Sequence, residues 1–91
     1  IRVASTTSAK GLAGSIISSI CGGNTVSLEG MGHGAVGQAV KAVAIANGTL
    51  ATKGYILNIV PSMVNKDVLG VGTDEFTTKT ITVLRLKKVT L

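Results

Sequence analysis

The chain has 91 residues, of which 45% are hydrophobic but only 2% aromatic and 14% charged, so it is too apolar for a disordered polymer and short enough for one domain, 1–91. One cysteine and one histidine exclude an intrachain disulfide and a zinc finger, and no apolar run approaches the roughly 18 residues of a membrane span. Nine Lys/Arg against four Asp/Glu give a formal charge of +5, which favours anionic partners. No unbroken apolar leader opens the chain, so a cytoplasmic protein without membrane contact is expected.

Residues 1–5 alternate, with Ile1 and Val3 against Arg2 and Ala4, and read as a short strand. Thr6, Thr7 and Ser8 then offer hydroxyl caps for a helix. In that helix Ala9, Leu12, Ala13, Ile16, Ile17 and Ile20 recur at helical spacing opposite Lys10, Ser15, Ser18 and Ser19. Gly22, Gly23 and Asn24 end it. Residues 25–29 alternate again as a half-exposed strand. The run Gly30-Met31-Gly32-His33-Gly34 reads as a turn into a second helix, 35–47, stopped at Gly48.

That second helix is apolar almost all round, with Gln38 and Lys41 nearly its only long polar side chains. One sheet cannot cover it on every side, which implies a subunit interface. Residues 55–60 are strand-like on both faces, and Pro61, lacking an N–H, is expected to limit pairing beyond it. Residues 63–75, with Gly70, Gly72 and Asp74, read as a long hairpin arm whose acids Asp74 and Glu75 are solvated at the tip. Residues 76–88 form the last strand, where the adjacent Val83 and Leu84 leave open whether a bulge shifts the faces. The order βαβα plus a hairpin gives an α+β two-layer sandwich: a mixed four-stranded sheet with two helices on one face.

Chemistry-bearing residues are sparse. The stretch Gly32-His33-Gly34-Ala35-Val36-Gly37 fits G-x-G-x-x-G between a strand and a helix, but the acid expected about 20 residues on is replaced by Tyr55-Ile56-Leu57-Asn58. Two other readings stand: a tight turn that lets helix and sheet pack closely, or a helix start at Gly32 and Gly34 whose bare N–H groups hold a backbone phosphate. His33 has only Glu29 and scattered serines to offer as orienting acid and nucleophile, and it reads as an exposed turn residue. Cys21 is expected to be buried and inert, with no cation nearby to activate it. The cluster Arg85, Lys87 and Lys88 reads either as a solvated tail or as a phosphate contact. Tyr55 and Phe76 are too few to stack bases, so any nucleic-acid contact would be to the backbone.

The segment 32–48, Gly32-His33-Gly34-Ala35-Val36-Gly37-Gln38-Ala39-Val40-Lys41-Ala42-Val43-Ala44-Ile45-Ala46-Asn47-Gly48, together with Ile59-Val60-Pro61, resembles the stage V sporulation protein S family. That family carries a G-A-G-A-x-x-Q-A-V-K-A-x-A-I-A-x-G core and a strand ending in Ile-Pro. Val3-Ala4-Ser5 followed by Leu12-Ala13-Gly14 fits its start, so the likeness spans nearly the whole chain. More distantly the chain is similar to the archaeal Alba chromatin proteins, which share the order βαβαββ.

The resemblance implies an Alba-like fold, homodimers or higher assemblies, nucleic-acid binding as in the Alba branch, and a regulatory role in spore development. Alba-type proteins grip nucleic acid with basic residues in the two strand-to-helix loops and the long hairpin. Here the lysine expected near Ser5 or Thr6 is absent, with Lys10 several residues later. Gly32 and Gly34 stand where arginines are expected and Gln38 where a lysine is, while Asp67, Asp74 and Glu75 offset Lys66 and Lys79.

The resulting expectation is a non-enzymatic dimeric regulator that needs no cofactor or metal. It would contact nucleic-acid phosphates through Lys10, His33, Lys41, Lys66 and Lys79, with Val36, Ala39, Val40, Val43 and Ile45 in the dimer interface. The alternative is an oligomeric scaffold that binds a protein or a small anionic ligand; a third reading is a nucleotide-binding regulator using residues 32–37.

Overall fold

The computed structural model describes residues 1–69, 72 and 75–91. Gly70 and Asp74, assigned to the hairpin tip, lie outside the described residues. The elements follow the order β1 (Arg2–Val3), α1 (Ala9–Cys21), β2 (Val26–Gly30), α2 (Gly32–Ala51), β3 (Tyr55–Leu69) and β4 (Phe76–Thr90). The sheet order is β1-β2-β4-β3, with β1 and β2 parallel and the other neighbours antiparallel. Both helices pack on one face of this sheet, as the α+β reading expects.

Helix α1 starts as its hydroxyl run suggests: Ser8 is extended at φ −67°, ψ 120°, and its Oγ accepts from the Gly11 N–H at 3.2 Å. It buries Leu12, Ala13, Ile16 and Ile20. These meet Val3, Val26, Leu28, Leu57, Leu84 and Leu86 from the sheet and Ala39, Ala42, Val43, Ala46 and Leu50 from α2 in one core. Alanines dominate the α2 contribution because small side chains let helix and sheet approach closely.

Helix α2 is longer at both ends than its glycines suggest. The run Gly32-His33-Gly34 is its first turn rather than a loop, and the helix passes through Gly48 to Ala51. The main chain requires glycine at the start for two reasons. Gly32 has φ +81°, and a Cβ on Gly34 would stand 2.7 Å from the Cβ of Ser5 in the β1–α1 loop. The turn therefore accounts for Gly32 through its φ, and close packing accounts for Gly34, though against the β1–α1 loop rather than the sheet. Gly37 has nothing within 4 Å of its would-be Cβ.

Strand β3 does not stop at Pro61; pairing runs without a break from Tyr55↔Thr90 to Leu69↔Phe76, with Pro61 opposite Leu84. The reason is positional. The N–H of Leu57 is held by the Asn47 Oδ1 at 2.8 Å, so odd-numbered β3 residues turn their main chain to the outer edge. Pro61 shares that parity on an edge strand, and no ladder bond is lost. No bulge interrupts β4. Thr82, Leu84 and Leu86 face the helices, whereas Ile81, Val83, Arg85 and Lys87 face away.

Candidate functional site

Parallel β1 and β2 each lead into a helix, so both helix N-termini lie at one end of the sheet. Strand β3 is antiparallel to β4, which is antiparallel to β2, so β3 runs towards that same end. Beyond Gly30↔Thr82 the β3–β4 pair continues alone as a two-stranded arm. The topology thus brings two helix starts and the arm to one end of the molecule.

The helix starts are electrostatically open. Neither has an acidic residue in its first turn, and Met31, which caps α2, makes no side-chain hydrogen bond to it. The first N–H groups of α2 are therefore free of side-chain acceptors at the positive end of the helix dipole. The loop beneath is fixed: Gln38 Nε2 donates to the Thr7 carbonyl at 2.7 Å, and Thr7 Oγ1 accepts from the Ala4 N–H at 2.8 Å. Gln38, which stands where the resemblance expects a cation, ties α2 to the loop instead.

On the arm, Lys66 and Lys79 are direct cross-strand partners. Like charges so opposed repel. Lys66 reaches Glu29 at 3.9 Å, an exposed pair worth at most about 1 kcal/mol. Lys79 has no ion pair among the described residues. Asp67, which the sequence sets against these lysines, is turned with Asn65 to the opposite face of the arm, where they accept from Thr78 at 2.7 Å and Thr80 at 3.0 Å, respectively. A small cavity of about 180 Å³ joins Lys66 to Arg2, Glu29 and Met31, so the arm lysine meets the start of α2.

Of the expected phosphate contacts, the structure gathers Gly32, His33, Gly34, Lys66 and Lys79 at this end, with Lys10 in the first turn of α1. His33 is exposed. Lys41 does not join them: nine residues along α2 set it about 13 Å from Gly32. Arg2 was missed as a site residue, although the alternation of residues 1–5 already sets it opposite buried Val3.

The expected interface residues divide. Ala39 and Val43 are 2% and 3% exposed inside the chain's own core and cannot meet a partner, whereas Val40 and Ile45 are 46% and 43% exposed. Val36 is half-buried. The outer stripe of α2 is Gly37, Val40, Lys41, Ala44, Ile45 and Gly48. The reading of Cys21 is also corrected. It is exposed, and the Lys53 ammonium lies 3.7 Å from its Sγ, because Cys21 sits beside the buried stripe of Leu12, Ile16 and Ile20 and towards the α2–β3 turn. Arg85, Lys87 and Lys88 are no tail; they belong to paired strand β4.

Among the described residues no three His, Cys, Asp or Glu side chains converge as metal ligands, and no helix is long and apolar enough to cross a membrane. A family model described as Stage V sporulation protein S matches residues 1–86 of the 91. No curated protein matches the chain.

Proposed function

Since the chain belongs to the stage V sporulation protein S family, a sporulation-related group of small proteins, we propose that it is a non-enzymatic, cytoplasmic regulator that binds nucleic acid as a homodimer, mainly through backbone phosphates. The observation that carries this reading is the opposed pair Lys66 and Lys79 on the arm, with Arg2 nearby and Glu29 the one acid that pairs with them among the described residues. A phosphate between the two ammonium groups relieves their repulsion and releases counterions. On the helix-bearing face, Gly32 and Gly34 put no side chain in front of the first N–H groups of α2, which offer a separate phosphate contact. Contacts of this kind read charge and spacing, so sequence preference is weak.

A gel-shift salt titration tests the reading. Wild type binds duplex DNA or RNA at about 50 mM salt, and Lys66→Ala with Lys79→Ala flattens the slope of log K against log salt by about 1.8. Undetectable binding to both nucleic acids at that salt overturns it. The scaffold reading draws on a different observation, the apolar outer stripe of α2, and a stable oligomer without nucleic-acid affinity would favour it.

A further inference from the structure

At the opposite end of the sheet from the arm, a half-open cleft of about 620 Å³ lies between the α1–β2 turn and β4. Its size falls within the roughly 300–1,000 Å³ of small-molecule sites. Ile20 and Leu86, both buried, form its apolar floor. Every titratable residue that lines it carries a positive charge: Arg85, Lys87 and Lys88.

The cleft exists because β2 begins too late. Strand β2 starts at Val26 opposite Leu86, while β4 continues to Thr90. The Asn47 clamp on Leu57 sets the hydrogen-bonding parity of the β3–β4 ladder, so Leu86 and Lys88 both turn their main chain towards β2. Leu86 meets Val26 there; Lys88 meets no strand. Its N–H and C=O have no partner among the described residues and open on the cleft. Asn24, Thr25 and Ser27 add neutral polar groups on the facing wall.

The negative ends of the helix dipoles explain only some of these cations. Lys53, at Cys21, and Lys88, 4.6 Å over the Tyr55 ring, sit on the helix side. Arg85 and Lys87 are on the other face of the sheet, away from both helices, exposed and without an ion pair among the described residues. The gap left by the late start of β2 opens the cleft to both faces of the sheet, so Arg85 and Lys87 line it from one face, and Ile20, Leu86 and Lys88 from the other.

We infer that this cleft is a binding site for a small phosphorylated molecule carrying at least two phosphoryl charges, held by Arg85, Lys87 and Lys88 and distinct from the nucleic-acid surface on the arm. Arginine would take phosphoryl oxygens as a bidentate donor and the lysines as point charges. The remainder of the ligand would lie on Ile20 and Leu86 with its hydroxyls towards Asn24, Thr25 and Ser27.

Titration of the intact chain with inorganic pyrophosphate, with ADP and with a short single-stranded oligonucleotide, followed through backbone amide resonances, tests this. A second readout is the alkylation rate of Cys21, the sole cysteine, which lines an adjoining cavity with Gly23 and Lys88. Pyrophosphate or ADP is expected to shift residues 23–27 and 85–88 with half-saturation below about 1 mM and to change the Cys21 rate over the same range. Arg85→Ala with Lys87→Ala, both exposed, weakens this at least about tenfold with unchanged resonance dispersion elsewhere, whereas Lys66→Ala with Lys79→Ala leaves it intact. Absence of saturation up to about 10 mM overturns the inference. So does binding unaffected by the cleft variant, or a response at these residues to the oligonucleotide and to neither small phosphate.

Discussion

Gly34 and Gly14 are both helical glycines, and their surroundings give them opposite obligations. At Gly14 nothing lies within 4 Å of a would-be Cβ, so Gly14→Ala relieves the backbone entropy cost and is expected to stabilise by about 0.5–1 kcal/mol. At Gly34 the added methyl meets the Ser5 Cβ at 2.7 Å, and overpacking is expected to cost about 1–3 kcal/mol. Urea denaturation of the two variants should move the midpoint in opposite directions; a Gly34→Ala midpoint equal to wild type would mean that the loop yields freely. In the sequence these glycines allowed a close helix–sheet approach alongside a nucleotide or phosphate site; the close approach found at Gly34 is to the β1–α1 loop. Sequence reading placed Cys21 wrongly, because its surroundings are set by where the α2–β3 turn lands.

Among the elements, β3 depends most on a contact distant in sequence. Asn47 accepts from the Leu57 N–H at 2.8 Å and donates to its carbonyl at 3.4 Å, closing part of the free edge of the sheet. Asn47→Ala leaves that main-chain pair partly buried and unpartnered, so a loss of about 1–3 kcal/mol is expected, with faster amide exchange at Leu57. Exchange at Leu57 unchanged from wild type would show that the clamp is not what protects the edge. The positions of α1, β2 and β4 were legible in the spacing of Leu12, Ile16 and Ile20 and the alternation of Val26 with Leu28 and Ile81 with Val83. The extent of α2 and β3 was not. Helix stops at glycine and strand stops at proline are local preferences, and core packing at Leu50 and edge placement at Pro61 override them.

For the molecule as a whole, the accessible surface is 5780 Å², roughly 850 Å² above that of a compact monomer of 9.2 kDa. That excess is close to the roughly 800 Å² each partner buries in a standard interface. Part of the exposed surface is apolar: Val40 and Ile45 on α2, and Met63 and Phe76 on the arm. Under the homodimer reading, Val40→Asp with Ile45→Asp is expected to yield a folded monomer by light scattering, since neither side chain belongs to the core. A wild-type chain already monomeric at micromolar concentration would remove the dimer from the proposal. Self-association also matters for nucleic acid, because two arms per particle double the phosphate contacts and steepen the salt dependence.

The excess of small apolar residues and the surplus of five charges were properties of the sequence alone, and so were the element order, the helix-facing stripe of α1 and the family likeness in residues 32–48. These follow from periodicity and local composition, which act over a few residues. Tertiary structure alone decided that β4 enters between β2 and β3, that Lys66 faces Lys79 on the arm, and that late-starting β2 leaves the main chain of Lys88 without a partner on that side. Each depends on strand register, and register is set by contacts between residues tens of positions apart.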